Sequence, residues 1–444
     1  MNKIHQRKIT KSLKQISLEN LAKETKFYLR KPKKIDVFNF ILSFYLVLLK
    51  KNYSLRLWAA ELTQLLGQEV SFQMIAKKLQ IRQLPFIKMV FAKALNIYFE
   101  QNKYFSSKPL LSPFNRVLIE DSTCIKLVDA LKGSFAGAKN QYKKSATCRI
   151  QFCLDIKSNG IENVELTSLV KNDLTYADNI LERIQAHDLI IRDLGYIIIE
   201  VLGKINQLGA FFISRLKIDT CVFDEHSEQR IDLVKVLKKS DRNQIRRIDR
   251  KIKIGTKNKL TVRLVAIKLN EKQAQKRRNH AKKSRGKKKE STISKAAMYL
   301  MSWNIFITNI EEEILTVEQV YELYSIRWHI EIIFKNWKSN FKLDSLINSC
   351  RSPNPVKPEI LLYLFLSFIV LIYIPKLNHF QQVIFEKHQR HLSPYKFATF
   401  LMNNIEFIFE DDQEQILSLL LRFCCYDKRS DRLNLYEKIY GLAA

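Results

Sequence analysis

The segment "LYSIRWHIEIIFKNWKSN" (323–340) constrains the fold of this chain more than any other. At about 100° per residue on an α-helix, Ile326, Ile330, Ile333, Phe334 and Trp337 form one apolar stripe that belongs against a core. Tyr324, Arg327, Glu331 and Lys338 form a second stripe, about 60° wide and roughly 20 Å long. Thr316 and Gln319 make a capping box that starts the helix. One helix thus buries one side and presents a carboxylate, two cations and a phenol on another. A solvated face of i,i+4 pairs can look like this, but Arg327 precedes Glu331, which is the weaker order for such a pair. A polar row of this length also suits a strand of nucleic acid and its repeating phosphates.

Charge favours the second reading. The formal net charge of +31 over 444 residues is self-repulsive unless a polyanion compensates it. Nucleic acid is the first candidate, because Lys and Arg displace counterions condensed on phosphates; a membrane surface is the second. The apolar run "ILLYLFLSFIVLIYI" (360–374) closes at Pro375 and is shorter than the ~20 residues a spanning helix needs. It reads as a buried helix. The seven cysteines are odd in number and form no CxxC pair, so they read as reduced core thiols of a cytosolic protein. The N-terminal "MNKIHQRKITKS" has no apolar h-region of a signal peptide.

Residues 1–110 read as helical and basic. Within them Ser54 caps one helix, Gly67 stops it, and Ser71 caps a second. This is either a helix-turn-helix offering Gln73, Lys77 and Lys78 to DNA or a plain αα-hairpin. After Pro113 the texture becomes strand-like: "RVLIEDST", "CRIQFCLDIK" and "ENVELTSLV" are followed by a helix, "DLIIRDLGY", a second helix and "AFFISRL". That order suggests a mixed sheet carrying helices. Residues 216–315 alternate strands with basic loops, and the stretch 272–290, which has no apolar periodicity, reads as a mobile loop. Helical periodicity returns over 316–350, and 351–444 reads as a helical C-terminal region.

Two acids stand at the ends of strand candidates: Asp121 closes "VLIED" and Asp193 closes "LIIRD". Two such carboxylates side by side, joined by Glu331 from a helix packed on the sheet, suit Mg²⁺, a hard ion that keeps waters and takes phosphate oxygens. Two such ions can clamp the attacking and leaving oxygens of an in-line displacement. Asp121 and Asp193 could instead be turn formers or helix caps, and Glu120 could be the important acid of its pair. No GxxxxGK[ST] or GxSxG motif offers a competing chemistry.

The row Tyr324, Arg327, Glu331, Lys338 has the Y-x2-R-x3-E-x6-K spacing of the insertion-sequence-four family of DDE transposases, which the chain resembles over roughly 20–375. "IEDST" and "IIRDLGY" resemble the family's first and second Asp motifs. The resemblance implies a ribonuclease H-like α/β fold: a mixed sheet flanked by helices, with an inserted β-rich subdomain and helical N- and C-terminal regions. The expected division is a DNA-binding region over 1–110, the core over 111–215, the insertion over 216–315, the third-acid helix over 316–350 and a possible dimerisation region over 351–444.

The resemblance also carries metal-ligand and catalytic roles onto Asp121, Asp193 and Glu331, and DNA-contacting roles onto Tyr324, Arg327 and Lys338. Trp303 looks like the family's aromatic that stacks on a flipped base, with a core strand aromatic as the other reading. The implied function is that of a bacterial insertion-sequence transposase working on double-stranded DNA in the cytoplasm, with no membrane partner. It would bind inverted repeats as a homodimer and use two Mg²⁺ ions, which Mn²⁺ can replace. It would cut, form a hairpin and join ends to target DNA. A nuclease without strand transfer and a catalytically silent DNA-binding repressor are the alternatives.

Overall fold

A computed structural model describes residues 3–28, 34–51, 53–101, 109–139, 144–257, 259–288, 293–349, 353–404, 413–427, 434 and 437–438. Among the described residues ten strands form one sheet: β1 (Val117–Leu127), β2 (Ala136–Lys139), β3 (Lys144–Asp155), β4 (Gly160–Ser168), β5 (Leu189–Arg192), β6 (Phe211–Arg215), β7 (Val222–Asp224), β8 (Arg247–Ile254), β9 (Leu260–Lys268) and β10 (Trp303–Thr308). The first part runs β4-β3-β1-β5-β6, with β2 also on β3. β3 is antiparallel to β1 and β4, whereas β1, β5 and β6 are parallel. This is the order expected of a ribonuclease H-like core, so the expected fold class holds. The strands of the 216–315 segment continue that sheet as β6-β10-β9-β8-β7, all antiparallel.

Strand alternation sorts the core into two faces. Val117 and Ile119 of β1 and Leu189 and Ile191 of β5 join the larger cluster, together with the helices Val37–Leu49, Trp328–Ser339 and Val356–Phe368. Leu118 and Ile190 point the other way, into a cluster with Val201, Leu202 and Ile205 of the helix Ile199–Gln207. Residues 121 and 193 keep the parity of the first set, so both face the helix Trp328–Ser339.

That helix is held by its apolar stripe. Ile326, Ile330, Phe334 and Trp337 are buried, as the periodicity predicts. Phe152 of β3 meets Phe334 and Trp337 edge-on at centroid distances of 5.8 and 5.0 Å. Each such aromatic pair adds about 0.5–1.5 kcal/mol beyond burial. The capping box at Thr316 is present, and the first helix ends at Ile326 before the second begins at Trp328.

Other regions differ from expectation for identifiable reasons. The basic stretch begins a helix, Glu271–Lys288, and is not a loop as far as Lys288; 289–290 lie outside the described residues. Asn270 accepts from the Gln273 N–H at its start, Ala274 is fully buried, and Arg277 donates to the Trp303 carbonyl and to Asn304 Oδ1. Good helix formers, a cap and two anchoring residues suffice without an apolar stripe.

The apolar run does not stop at Pro375. It continues as one helix, Val356–His388, through a π-helical segment at Ile369–Tyr373 next to the proline, whose missing N–H would break a regular ladder. Its length and composition would allow a membrane span, but most of its apolar window is buried inside the protein. Ser54, Gly67 and Ser71 act as read, yet the second helix, Phe72–Ala76, has only five residues. Lys78 lies over the rings of Phe27 and Tyr28 at 5.0 and 4.8 Å, while Gln73 and Lys77 are exposed. Six cysteines are free, and Cys350 lies outside the described residues.

Candidate active site

The register of β1 and β5 brings the first two acids together. Their last parallel pair is Glu120 opposite Arg192. The next residue on each strand is Asp121 and Asp193. Asp121 is not at the end of its strand, since β1 runs on to Leu127 against β3. It lies where β5 stops and the parallel pairing opens. Asp193 begins the 3₁₀ turn Leu194–Tyr196 without using its side chain as a cap, so the carboxylate is free for other partners. A Cβ at Gly195 would stand 3.2 Å from Asp173 Oδ2, so glycine lets this turn lie close against Asp173 without displacing that carboxylate.

The signature helices bring the third acid and a cation. Arg327 Nη1 donates to Asp121 Oδ2 at 3.1 Å, while Nη2 lies 2.8 Å from Glu331 Oε1 and 3.8 Å from Asp193 Oδ1. One guanidinium therefore joins all three acids. Its side chain is 7% exposed, against 16% for Asp121, 37% for Glu331 and 45% for Asp193, so the acids open progressively outward. Burial pushes the Asp121 carboxyl up to about 6; the Ser122 backbone N–H and Arg327 oppose the shift, and the charges of Asp193 and Glu331 reinforce it.

The rest of the polar row is engaged with protein. Tyr324 is buried, with its ring 5.0 Å from that of Phe306, and burial raises its phenol pKa. Lys338 Nζ donates to the Cys124 carbonyl of β1 at 2.7 Å. The row thus runs along β1 and is not a free solvated face. Trp303 is not brought to the site. It is 1% exposed, on the opposite side of the sheet in the cluster with Ile190, Phe212 and Leu264, so no base can stack on it in this arrangement. Its strand, β10, is central and both faces are covered, which matches the core-aromatic reading.

Sequence reasoning missed the supporting groups. Ser122 Oγ donates to Asp173 Oδ1 at 2.7 Å and accepts from Arg149 Nη1, which also pairs with Asp173 at 2.7 Å. Tyr196 donates to Gln151 Oε1. A basic residue inside the apolar strand "CRIQF" was the available signal for Arg149. Trp328, 52% exposed beside Arg327, was also passed over. Glu120 is not the site acid, because it is buried on the other face in a 2.6 Å pair with Arg192.

The donor set is all oxygen, and its three carboxylates exceed the single guanidinium they share. That chemistry fits a hard divalent cation. Among the described residues no three acid, imidazole or thiol side chains are already closed around a metal position; Arg327 lies among the carboxylates.

Residues 112–369 match the family model described as the transposase DDE domain. The chain belongs to the DDE transposases. It is an insertion-sequence transposase of the insertion-sequence-four family, as the signature spacing indicates. Its relatives include the transposase for insertion sequence element IS231F of Bacillus thuringiensis subsp. israelensis, 29% identical over 95% of this chain and 90% of that protein. Another is the transposase for IS1151 of Clostridium perfringens, 31% identical over 65% of this chain and 63% of that protein. Among solved structures, a piggyBac transposase synaptic complex with hairpin DNA aligns at a TM-score of 0.35 and 10% identity, covering 95% of this chain and 84% of that one. DDE transposases generally depend on divalent metal, which the oxygen donors of this transposase suit.

Proposed function

We propose that this transposase cuts the ends of its insertion sequence and joins them to target DNA at a centre made by Asp121, Asp193 and Glu331. The observation that carries the reading is the convergence of Asp121 and Asp193, next in register after a paired strand position, with Glu331 on one shared guanidinium. Bound Mg²⁺, or Mn²⁺ in its place, would supply Lewis-acid polarisation of a phosphoryl oxygen and a more acidic water.

The protein's own groups do the remaining work. The Ser122 N–H and the Asp173–Arg149 pair fix β1, so that Asp121 faces the cleft. Arg327 and Lys338 would meet a DNA backbone running past the three acids, and the buried Tyr324 ring backs the Arg327 guanidinium. The exposed indole of Trp328 offers a surface for an unstacked base that Trp303, being buried, does not. In this reading hydrolysis at the transferred strand frees a 3′-hydroxyl, which attacks the opposite strand to form a hairpin. The hairpin is then reopened and the end joined to target. Two copies of the chain hold the two ends, and the net charge of +31 supports the binding of DNA.

Incubating a pre-cut transposon end with a target plasmid tests this directly. Joined product is expected in Mg²⁺. Nicking without joined product would instead identify a nuclease on the same core.

A further inference from the structure

Arg327 is buried at the centre of the acids, and among the described residues no other cation pairs with Asp121, Asp193 or Glu331. It sits at the junction between the helices Val317–Ile326 and Trp328–Ser339. The backbone there tightens to i,i+3 bonds, from the Arg327 N–H to the Tyr324 carbonyl and from the Ile330 N–H to the Arg327 carbonyl. Two rings flank the guanidinium, Trp328 at 5.2 Å and Tyr324 at 5.9 Å, giving it a surface to rest on outside the carboxylates.

We propose that Arg327 is the resident counter-ion of the metal-free centre and competes with the divalent cation for the same three carboxylates. The proposal rests on the reading of Asp121, Asp193 and Glu331 as metal ligands. While Nη1 and Nη2 hold the carboxylates, that edge of the guanidinium cannot also fork onto a phosphate. A DNA phosphate that draws Arg327 outward therefore opens the carboxylates to the cation, and by linkage the cation strengthens the hold on DNA by the same factor. Metal loading is then coupled to the presence of substrate.

Titration of the full-length chain with Mn²⁺, without DNA, tests the proposal by calorimetry and by the metal-induced rise in Tm. Arg327→Gln should bind Mn²⁺ at least about tenfold more tightly than the wild type, within the usual range of coupling between sites. Arg327→Lys keeps the charge but loses the fork, and should fall between them. Lys335→Gln removes the same charge from the adjoining helix Trp328–Ser339, where the side chain lies over the Tyr395 ring, and should stay within about threefold of the wild type. A short mixed-sequence duplex should tighten Mn²⁺ binding more in the wild type than in Arg327→Gln, the excess being the coupling carried by the guanidinium.

Two outcomes overturn the proposal. If Arg327→Gln binds no tighter than the wild type, or Lys335→Gln tightens as much, while Asp121→Asn still abolishes binding, Arg327 is not the competitor and the ligand reading survives. If Mn²⁺ binding is indifferent to Asp121→Asn, both fall together.

Discussion

Glu120 and Arg192 stand directly opposite on the parallel strands β1 and β5, and their 2.6 Å ion pair is buried, with side chains 1% and 5% exposed. The pair lies on the sheet face away from the acids and is the last rung of the ladder, after which Asp121 stands beside Asp193. Desolvation raises the Glu120 pKa and Arg192 opposes the shift, so each partner depends on the other for compensation.

Removing one member of this pair should therefore cost more than removing both. Arg192→Met is expected to destabilise the protein by about 3–5 kcal/mol, because it leaves a buried carboxylate uncompensated. The double change Glu120→Leu with Arg192→Met should recover much of that loss. Urea unfolding of the single and double variants measures it; equal losses would show that the pair is not coupled.

The three acids should behave as one unit in catalysis. Asp121→Asn, Asp193→Asn and Glu331→Gln are each expected to lower cleavage by at least about a hundredfold, the scale of losing metal-assisted charge stabilisation. Binding to inverted-repeat DNA should persist in all three. Gel-shift and nicking assays on the same preparations separate these effects, and normal cleavage by any of the three would remove that residue from the centre.

The two tryptophans should divide packing from DNA contact. Trp303→Ala empties a fully buried position and is expected to cost about 3–5 kcal/mol of stability, lowering the nicking and hairpin steps alike. Trp328→Ala trims an exposed side chain and should leave Tm within a few degrees, roughly the shift of a ±0.5 kcal/mol surface change, while slowing hairpin formation more than nicking. Thermal melts paired with product analysis at each step check both outcomes.

His391 gives the C-terminal helices a pH dependence. Its ring stacks on Phe385 at 4.8 Å, and Gln381 spends its carbonyl oxygen on the Leu392 N–H, so the Gln381 amide must donate to His391 Nδ1. Burial lowers the imidazole pKa below its usual 6.5. The folded state thus binds the proton less readily than the unfolded chain. The stability tied to this neutral ring is complete above about pH 6.5 and falls as the pH drops towards the lowered value. Urea midpoints for wild type should fall between pH 7 and 5 by more than those of His391→Phe; parallel profiles would show that His391 does not titrate in this window.

The sequence made local features legible and non-local ones only by resemblance. Ile326, Ile330, Phe334 and Trp337 announce their buried face by period, and Ser54, Gly67, Ser71 and Thr316 announce helix ends by cap chemistry. Strand register has no such local signal. Asp121 looked terminal because the apolar run ends there, whereas β1 continues with partly exposed residues supported by β3. The helix Glu271–Lys288 was hidden because Arg277 and Arg278 anchor it by hydrogen bonds to β10 and its flanks, not through an apolar stripe. Arg149 and Asp173, 24 positions apart, meet Ser122 only once β3 pairs with β1.

Iron substitution reads the position of the metal most directly. Fe²⁺ bound in place of Mg²⁺ reduces added hydrogen peroxide to hydroxide and a hydroxyl radical, is itself oxidised to Fe³⁺ and is recycled by ascorbate; the radical breaks the polypeptide next to the ligands. Chain breaks are expected to cluster near residues 121, 193 and 331 and to be suppressed by excess Mg²⁺ and by Asp121→Asn. Breaks clustered elsewhere, or unaffected by either, would contradict a shared metal centre at these three carboxylates.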